Sequence, residues 1–297
     1  MTPTIFTQLF TVLGTVQKAG QLPGDEVQVI AIPLIFALLS SKCAHHYEYV
    51  LQTISNAAQD LGVQHCRPQR IMTDFEVAIL NACKLKLTDV TLSACFFHLG
   101  QSIYRHIQSE GLQVQYNNPD NRKIKLGTHM MLALAFVLPD DVLHAFGLVR
   151  DEVDDLLLPI IDYFEKTYVS GIPVRGHRRA VLPRYPIQLW NQYNATLSGA
   201  QRTNNCSERW HNRFNFVVGK NHPGIYTLLN ELKKEQADYE TIVTELALGR
   251  KVKAGQKKKW KDINRRLLRI VSDYALYKEE NRIIEYLELL ANTITLE

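Results

Sequence analysis

The sequence has few cysteines and no long apolar run, and each of these features excludes a class of protein. The five cysteines are an odd number at irregular positions, which is typical of reduced intracellular thiols and not of a disulfide framework. They are Cys43, Cys66, Cys83, Cys95 and Cys206. The longest apolar run, residues 27–39, is interrupted by Gln28 and Pro33 and is too short to cross a bilayer. Neither a disulfide-rich secreted protein nor a membrane-spanning protein is therefore expected.

Net charge and the amino terminus say little about function. The net charge is only +4, from 34 basic and 30 acidic residues, and such a balance is compatible with nucleic-acid binding without arguing for it. Met1 is followed by neither a basic nor an apolar segment, so no secretory signal is recognised. We expect an intracellular globular protein, and 297 residues suffice for one or two domains with a sizeable core.

A short apolar run ends in Thr73 and Asp74, and helix-spaced apolar residues resume at Ala78. This pattern predicts a strand over residues 70–74 followed by a helix, with Asp74 at the carboxyl end of the strand. Ligands bind at that end in sheets with helical crossovers. The alternative is that Asp74 only caps the following helix.

A second apolar run, residues 90–97, leads into a predicted helix over residues 98–110. Cys95, His98 and Gln101 lie at this junction. One interpretation is a buried thiol beside a histidine that organises a polar site.

The segment 203–214 begins with capping residue types and continues with apolar residues at helical spacing, such as Trp210. The spacing predicts a helix with Glu208 in an early turn, Asn205 before it and His211 one turn on. The helix dipole favours a carboxylate at this position whether or not it has a function. Glu208 is therefore a candidate site residue only in combination with the upstream residues.

Three motifs in this order resemble the catalytic core of the MULE (Mutator-like element) transposases. They are Thr-Asp-Phe-Glu at residues 73–76, Cys-x-x-His with a following glutamine at residues 95–101, and Asn-Asn-x-x-Glu with Trp-His at residues 204–211. The resemblance implies an RNase-H-like fold and DDE-type cleavage and strand transfer at transposon ends, with two Mg²⁺ or Mn²⁺ ions as cofactors. It implies that Asp74 and Glu208 are the second and third catalytic acids and bind the metal. Five further residues receive a supporting role: Cys95, His98, Gln101, Asn205 and His211.

The sequence lacks the first acid that this resemblance requires. MULE-like sequences place an Asp-Gly-Thr-Phe segment just before the counterpart of residues 3–6, and here no aspartate precedes Asp25, which lies in a predicted loop. The central strand that carries this acid is missing with it, which leaves unpaired sheet edges. We therefore expect a truncated product impaired in catalysis, or a direct pairing of strand 4–16 with strand 70–74.

The predicted fold class is α/β, with an incomplete RNase-H-like core that lacks its first strand, an all-helical insertion and a helical carboxyl-terminal segment. The predicted division is residues 1–110 for the core strands and helices, 111–200 for the helical insertion and a basic loop, 201–249 for the core-completing helices with the third acid, and 250–297 for the basic helical end. Periodicity predicts strands over residues 4–16 and 26–38 and helices over 46–61, 130–138, 140–148, 151–168, 226–248 and 270–296.

Two basic segments are predicted to contact DNA, because phosphate contacts need Arg and Lys on accessible surfaces. The first is an irregular segment at residues 171–185, and the second, residues 250–261, also fits a nuclear-import patch, so a nuclear location is expected. The predicted contacts are Arg175, Arg178, Arg179, Arg184, Lys257, Lys258 and Lys259. A solvated surface is the alternative for both segments.

Other interpretations of these residues stay open. Cys95 and His98 have a zinc-ligand spacing, and Cys206 with His211 would have to complete that site. A cysteine hydrolase would use Cys95 or Cys206, but no nucleophile turn is recognised. A domesticated DNA- or protein-binding module would keep the fold without catalysis, and an unrelated helical scaffold would hold the two acids far apart. Assembly as a homo-oligomer is also left open, and no membrane partner is expected.

Overall fold

The protein is described by a computed structural model that covers residues 2–17, 29–63, 68–172, 180–250 and 258–294. It is a mixed α/β protein, as predicted, with small sheets and many helices. The elements in chain order are β1 (Gln8–Gln17), β2 (Val29–Leu39), α1 (Ala44–Asp60), β3 (Arg70–Thr73), α2 (Val77–Lys86), β4 (Thr91–Ala94), α3 (Phe96–Ser109), α4 (Gln113–Tyr116), α5 (Lys123–Ala133), α6 (Val142–Glu152), α7 (Leu158–Phe164), α8 (Ile187–Trp190), α9 (Tyr193–Leu197), α10 (Asn205–Val218), α11 (Ile225–Ala247), α12 (Lys258–Ser272), α13 (Tyr274–Glu279) and α14 (Ile283–Thr293).

The chain forms two compact units, each built from separate stretches of sequence. We call the first the hairpin unit; it comprises Met1–Pro68, Glu76–Asp89 and Asn205–Lys257. We call the second the helical unit; it comprises Gln69–Phe75, Val90–Asn204 and Lys258–Glu297. The four-part division predicted from the sequence stays a prediction.

The hairpin unit contains β1 and β2, which pair antiparallel and correspond to the predicted strands 4–16 and 26–38. The register shifts between Val12 and Leu13, where β2 carries one extra residue, Leu34, next to Pro33. Proline has no N–H to donate to a ladder, so a bulge is where a strand tolerates it. The strand begins at Gln8 and not at residue 4, because a turn closed by the Phe6 N–H on the Pro3 carbonyl (2.9 Å) precedes it.

Direct pairing of strand 4–16 with strand 70–74, one of the two alternatives above, is wrong for the described residues. Each described sheet has two strands, β1 with β2 and β3 with β4.

Helix α10 covers one end of the hairpin together with α11. Its buried residues Trp210 and Phe214 pack with Leu9 of β1 and with Leu228 and Leu232 of α11. These apolar positions recur every three or four residues, so α10 buries one side and leaves the opposite side to solvent.

The helical unit contains the parallel pair β3 and β4, with Arg70 opposite Thr91 and Thr73 opposite Ala94. Parallel strands end at the same edge of a sheet, so the residues that follow them, Asp74 and Cys95, become neighbours. The Cys95 N–H donates to the Thr73 carbonyl at 2.9 Å.

Around this pair, the helical unit is built on α5 and α14. Most of α5 is buried, and His129 bridges it to α14, because its Nδ1 lies 3.0 Å from the Ala291 carbonyl oxygen and its Nε2 lies 3.0 Å from the hydroxyl of Tyr116. Burial lowers the pKa of His129. A neutral imidazole can donate from one nitrogen and accept at the other, which satisfies both contacts.

Three predicted helices are wrong in extent. The predicted helix 130–138 is α5, which begins already at Lys123 and ends at Ala133. The predicted helix 151–168 is broken, because Pro159 belongs at a helix start and opens α7, while the carboxylate of Asp154 accepts the Leu156 N–H and caps the turn before it. The predicted helix 270–296 is split among α12, α13 and α14. The break before α14 is at Asn281, which has a φ of 55°, a left-handed conformation that asparagine tolerates. None of the helices in the described residues is long and apolar enough to cross a membrane.

Candidate active site

Asp74 directly follows β3, where the sequence predicted it. The capping position of α2 is taken by Glu76, so the alternative that Asp74 caps this helix is wrong. The Asp74 side chain is half exposed, at 51%. A carboxylate in this position is accessible to a ligand.

Two side chains contact the same oxygen of Asp74. The amide Nδ2 of Asn204 donates to Asp74 Oδ1 at 2.5 Å, and Nδ1 of His98 lies 3.1 Å from that oxygen. A hydrogen bond to an ionised carboxylate is stronger than one between neutral groups, so the Asn204 contact orients the Asp74 side chain, with His98 in close polar contact at the same oxygen. Among the described residues Asp74 Oδ2 accepts no hydrogen bond, and this second oxygen is the one left for a ligand.

His98 reaches Asp74 from the first turn of α3. This helix begins at Phe96 and β4 ends at Ala94, so the predicted start of the helix at residue 98 is two residues too late. The two phenylalanines after Cys95 prolong the apolar pattern of the strand although they already belong to the helix. Gln101 lies one turn after His98 on the same helix face and is partly buried.

Cys95 is fully buried between the two elements and does not reach solvent. Its sulfur accepts the backbone N–H of Asn204 at 3.4 Å, and burial raises the pKa of its thiol. A buried thiol with a raised pKa is a poor nucleophile. Cys95 is therefore a buried thiol that packs between the two elements, and its supporting role stays a prediction.

Asn204 connects the two junctions, and it was not among the predicted site residues. Its backbone bonds to Cys95 and its side chain to Asp74, while its side-chain oxygen Oδ1 is buried with no hydrogen-bond partner among the described residues. An unsatisfied buried oxygen is costly, so it marks a place where a water or a cation can bind. The motif Asn-Asn-x-x-Glu contains this residue, but only the fold shows which asparagine turns toward Asp74.

Backbone contacts hold the segment before Asn204 against the sheet. The Phe96 N–H donates to the Arg202 carbonyl at 2.9 Å, and the guanidinium of Arg70 bonds both the Gln201 carbonyl and the Ser93 hydroxyl at 2.8 Å. On the other side, the Tyr185 hydroxyl donates to the Phe75 carbonyl at 2.7 Å. Asp74 therefore lies in a polar cluster of the helical unit in which hydrogen bonds fix the surrounding segments.

Glu208 lies in the first turn of α10, as predicted, in the hairpin unit. The helix is anchored by Glu235 of α11, whose buried carboxylate accepts hydrogen bonds from Trp210 Nε1 at 3.1 Å and from both terminal nitrogens of Arg213. These contacts lie on the buried side of α10, so they fix its rotation. Asp74 and Glu208 belong to different compact units, and their meeting at one pocket stays a prediction.

The other predicted supporting residues also lie on α10. Asn205 is its first residue and is exposed, and the His211 ring packs edge-on against Trp210 with 4.9 Å between ring centroids. Their supporting roles stay predictions.

The oxygen atoms near Asp74 are of the kind that Mg²⁺ prefers. Asp74 Oδ2 and the unsatisfied Asn204 Oδ1 are hard donors, and Mg²⁺ completes its shell with waters and substrate phosphate. These two oxygens would supply part of the ligands of such an ion. Among the described residues, no three His, Cys, Asp or Glu side chains are grouped to hold a metal ion, so the zinc site of four ligands is not found.

The predicted DNA contacts lie partly outside the described residues. Arg175, Arg178, Arg179 and Lys257 are not described. Arg184 is exposed, with its guanidinium 5.6 Å from the ring centroid of Tyr185.

Lys258 and Lys259 open α12 and are exposed. Further along this helix the exposed basic residues Arg265, Arg266 and Arg269 follow, while Leu267 and Val271 are buried. The helix therefore has one basic side and one apolar side.

Comparison with known proteins agrees with the motif resemblance. No curated protein and no solved structure matches the chain. A family model, described as the MULE transposase domain, matches residues 3–102, about one third of the 297 residues. The match includes Asp74, Cys95, His98 and Gln101 and ends before Asn204 and Glu208. The resemblance to MULE transposases that the motifs indicate is thus confirmed by this match over residues 3–102.

Proposed function

We propose that this chain is a Mutator-like, transposase-derived DNA-processing domain with an RNase-H-like core. Its chemistry is the DDE-type cleavage and strand transfer of phosphodiesters. The observation that carries the proposal is the arrangement at the carboxyl ends of β3 and β4, where His98 and Asn204 hold one oxygen of Asp74 and leave the other open. The family match over residues 3–102 supports the same assignment.

The chain's own residues prepare this site for a divalent ion and a phosphate. Asp74 and Glu208 would hold the metal, and Asn204 Oδ1 is a further donor beside Asp74. Bound Mg²⁺ or Mn²⁺ supplies activation of the attacking water or 3′-hydroxyl and stabilisation of the leaving oxygen. His98 and Asn204 keep the Asp74 carboxylate in one orientation, which lowers the cost of assembling the site around DNA.

DDE chemistry uses three acids. Only the second and third, Asp74 and Glu208, are recognised in these 297 residues, because no aspartate precedes Asp25. Two carboxylates retain a pair of divalent ions less well than three. We therefore expect this polypeptide to bind DNA and to cleave it weakly.

The basic side of α12 is the DNA contact for which the described residues give most support. Lys258, Lys261, Arg265 and Arg269 recur at helical spacing and form a stripe about 17 Å long. Arg265 is paired with Asp262 at 3.1 Å, and this exposed ion pair can exchange for a phosphate. Such a stripe binds DNA phosphates without reading base sequence.

The proposal is tested by measuring DNA binding and cleavage of the same purified chain. We expect binding to a duplex that weakens with salt. Replacing Lys258, Arg265 and Arg269 by Gln should lower the salt slope by about 0.9 per phosphate contact. Lys84→Gln, which removes an exposed lysine from α2, is the matched control and should bind as the parent does.

Cleavage of a supercoiled plasmid with Mg²⁺ or Mn²⁺ tests the chemistry. Slow turnover that disappears in both Asp74→Ala and Glu208→Ala supports the two-acid site. If the parent cleaves fast and both variants lose this cleavage, the expected impairment is wrong and the proposed transposase chemistry stands. A chain that binds no DNA contradicts the proposed function altogether.

A domesticated module that binds DNA or protein without catalysis is the second candidate. The basic stripe of α12 favours it, because phosphate binding there needs neither acid. Salt-dependent binding with no turnover at any metal concentration is the result that would select it. A nuclear location and assembly as a homo-oligomer are part of the proposal for both candidates.

A further inference from the structure

The turn between α10 and α11 forms a shallow pocket that contains none of the predicted site residues. The pocket has a volume of about 460 Å³. It is lined by Asn215, Phe216, Gly219, Lys220 and Asn221. This volume falls in the range of ligand sites, about 300–1,000 Å³.

Phe216 gives the pocket an exposed aromatic wall. Its side chain is 87% exposed, whereas Trp210 and Phe214 on the other side of the same helix are buried. A lone exposed aromatic residue needs no explanation, but this one lines the same pocket as two asparagines and a lysine. An aromatic face, amide groups and a cation are the groups that bind an unpaired nucleotide through its base and its phosphate.

The pocket lies on the same side of α10 as Glu208. Glu208, Asn212 and Asn215 are spaced by four and three residues, so they follow one line along the helix, and Gly219 comes directly after its last residue. Asn215 is seven residues after Glu208, which corresponds to about 10 Å along the helix axis. A phosphodiester held at Glu208 would therefore have its neighbouring nucleotides within reach of the pocket.

We infer that this pocket binds one unpaired nucleotide of DNA beside the phosphodiester held at Glu208. The base stacks on Phe216, the amides of Asn215 and Asn221 bond its edge, and Lys220 contacts a phosphate. The inference rests on the proposed function, because it takes DNA as the ligand and Glu208 as part of the site. It adds recognition of single-stranded DNA to the duplex contacts of α12.

The test uses the full chain and a short single-stranded oligonucleotide of thymidines with one central 2-aminopurine. Binding should change the 2-aminopurine emission as the base stacks. Phe216→Ala should weaken binding about tenfold and remove the emission change, because stacking on an aromatic side chain is lost. Phe216→Trp should keep both, and Tyr49→Ala, which removes another exposed aromatic side chain from the hairpin unit, should have no effect.

Lys220 is tested by the salt dependence of the same binding. Lys220→Ala should lower the salt slope by about 0.7, the value for one phosphate contact on a single strand. Lys84→Ala should leave the slope unchanged. An unchanged slope in Lys220→Ala would contradict the assigned phosphate contact.

A duplex measured in parallel separates this inference from the proposed function. If Phe216→Ala and the parent bind the single strand equally while the duplex still binds through α12, the nucleotide site is refuted and the proposed function stands. If neither the single strand nor the duplex binds, both are refuted. Circular dichroism of Phe216→Ala should match that of the parent, because the removed ring is exposed.

Discussion

Asp74 and Glu208, the two predicted acids, are held in place by different means. Asp74 follows a strand of four residues and is oriented by polar side chains, one of which, Asn204, lies 130 residues away in the sequence. Glu208 is placed by a helix of 14 residues whose opposite side is buried. The first acid depends on a few hydrogen bonds and the second on helix packing.

The difference determines what a substitution can do in each region. Around Asp74 the contacts are directional, so a change of one atom type alters the site. Around Glu208 the fold depends on Trp210, Phe214 and Glu235, and the acid itself is not part of that anchor. A substitution of Glu208 should therefore reduce function without reducing stability, whereas a substitution in the contacts of Asp74 should reduce both.

The largest expected effect is on the anchor of α10. Arg213→Ala removes two of the three hydrogen bonds to Glu235, whose side chain is only 4% exposed, and leaves a buried carboxylate without its cation. We expect the free energy of unfolding to fall by about 2 kcal/mol, toward the low end for breaking a buried pair because Arg213 itself is 45% exposed. Urea denaturation measures this change.

Arg209→Ala is the matched control for that measurement. Arg209 is an exposed arginine of the same helix, and its removal should change the free energy of unfolding by about 0.5 kcal/mol or less. Equal losses in the two variants would show that the helix, and not the buried carboxylate, is what the substitution perturbs.

The second-largest effect is expected in the polar cluster around Asp74. It is tested by comparing substitutions of two adjacent residues, Asn204 and Asn205. Asn204→Asp replaces the amide donor at Asp74 by a carboxylate, so two negative oxygens face each other where a hydrogen bond was made. We expect a loss of about 1.5 kcal/mol at pH 7, the value of a hydrogen bond to a charged group. Asn205→Asp, one residue later at the start of α10, should be neutral or stabilising, because the helix dipole favours an acid there.

The pH dependence of Asn204→Asp gives a second readout. In the folded variant the paired carboxylates raise the pKa of one of them above its unfolded value, so the folded state binds the extra proton more tightly. The loss should therefore shrink as the pH falls toward 4 and grow as it rises. Added Mn²⁺ should reverse part of the loss at pH 7 if Asp74 Oδ2 accepts a metal. A loss that is the same at both pH values would contradict a direct contact with Asp74.

Much of this arrangement follows from local sequence patterns. The end of β3 at Asp74 and the position of Glu208 in α10 were predictable because the hydrophobic period changes at both places. The start of α3 was not, since Phe96 and Phe97 continue the apolar run of β4 while already contributing to the helix.

Asn204 shows what local patterns cannot predict. Its contact with Asp74 is made across 130 residues, and in the sequence Asn204 and Asn205 are chemically equal. The break before α14 was missed because a single asparagine is a weak stop signal. Asn281 takes a left-handed backbone, and the Arg282 N–H donates to the Tyr277 carbonyl at 2.8 Å, which closes the end of α13.

The smallest expected effect is at Glu208 itself. Glu208→Gln keeps the size and the hydrogen-bonding capacity of the side chain and removes its charge. Glu208 lies outside the buried contacts of α10 with Glu235, so the free energy of unfolding should change by about 0.5 kcal/mol or less. Binding of Mn²⁺ in the presence of DNA, followed by electron paramagnetic resonance, should weaken in the same variant. A loss of stability as large as that of Arg213→Ala would instead make Glu208 part of the anchor of α10, and a helix that needs its acid for folding gives no reason to assign that acid to a metal.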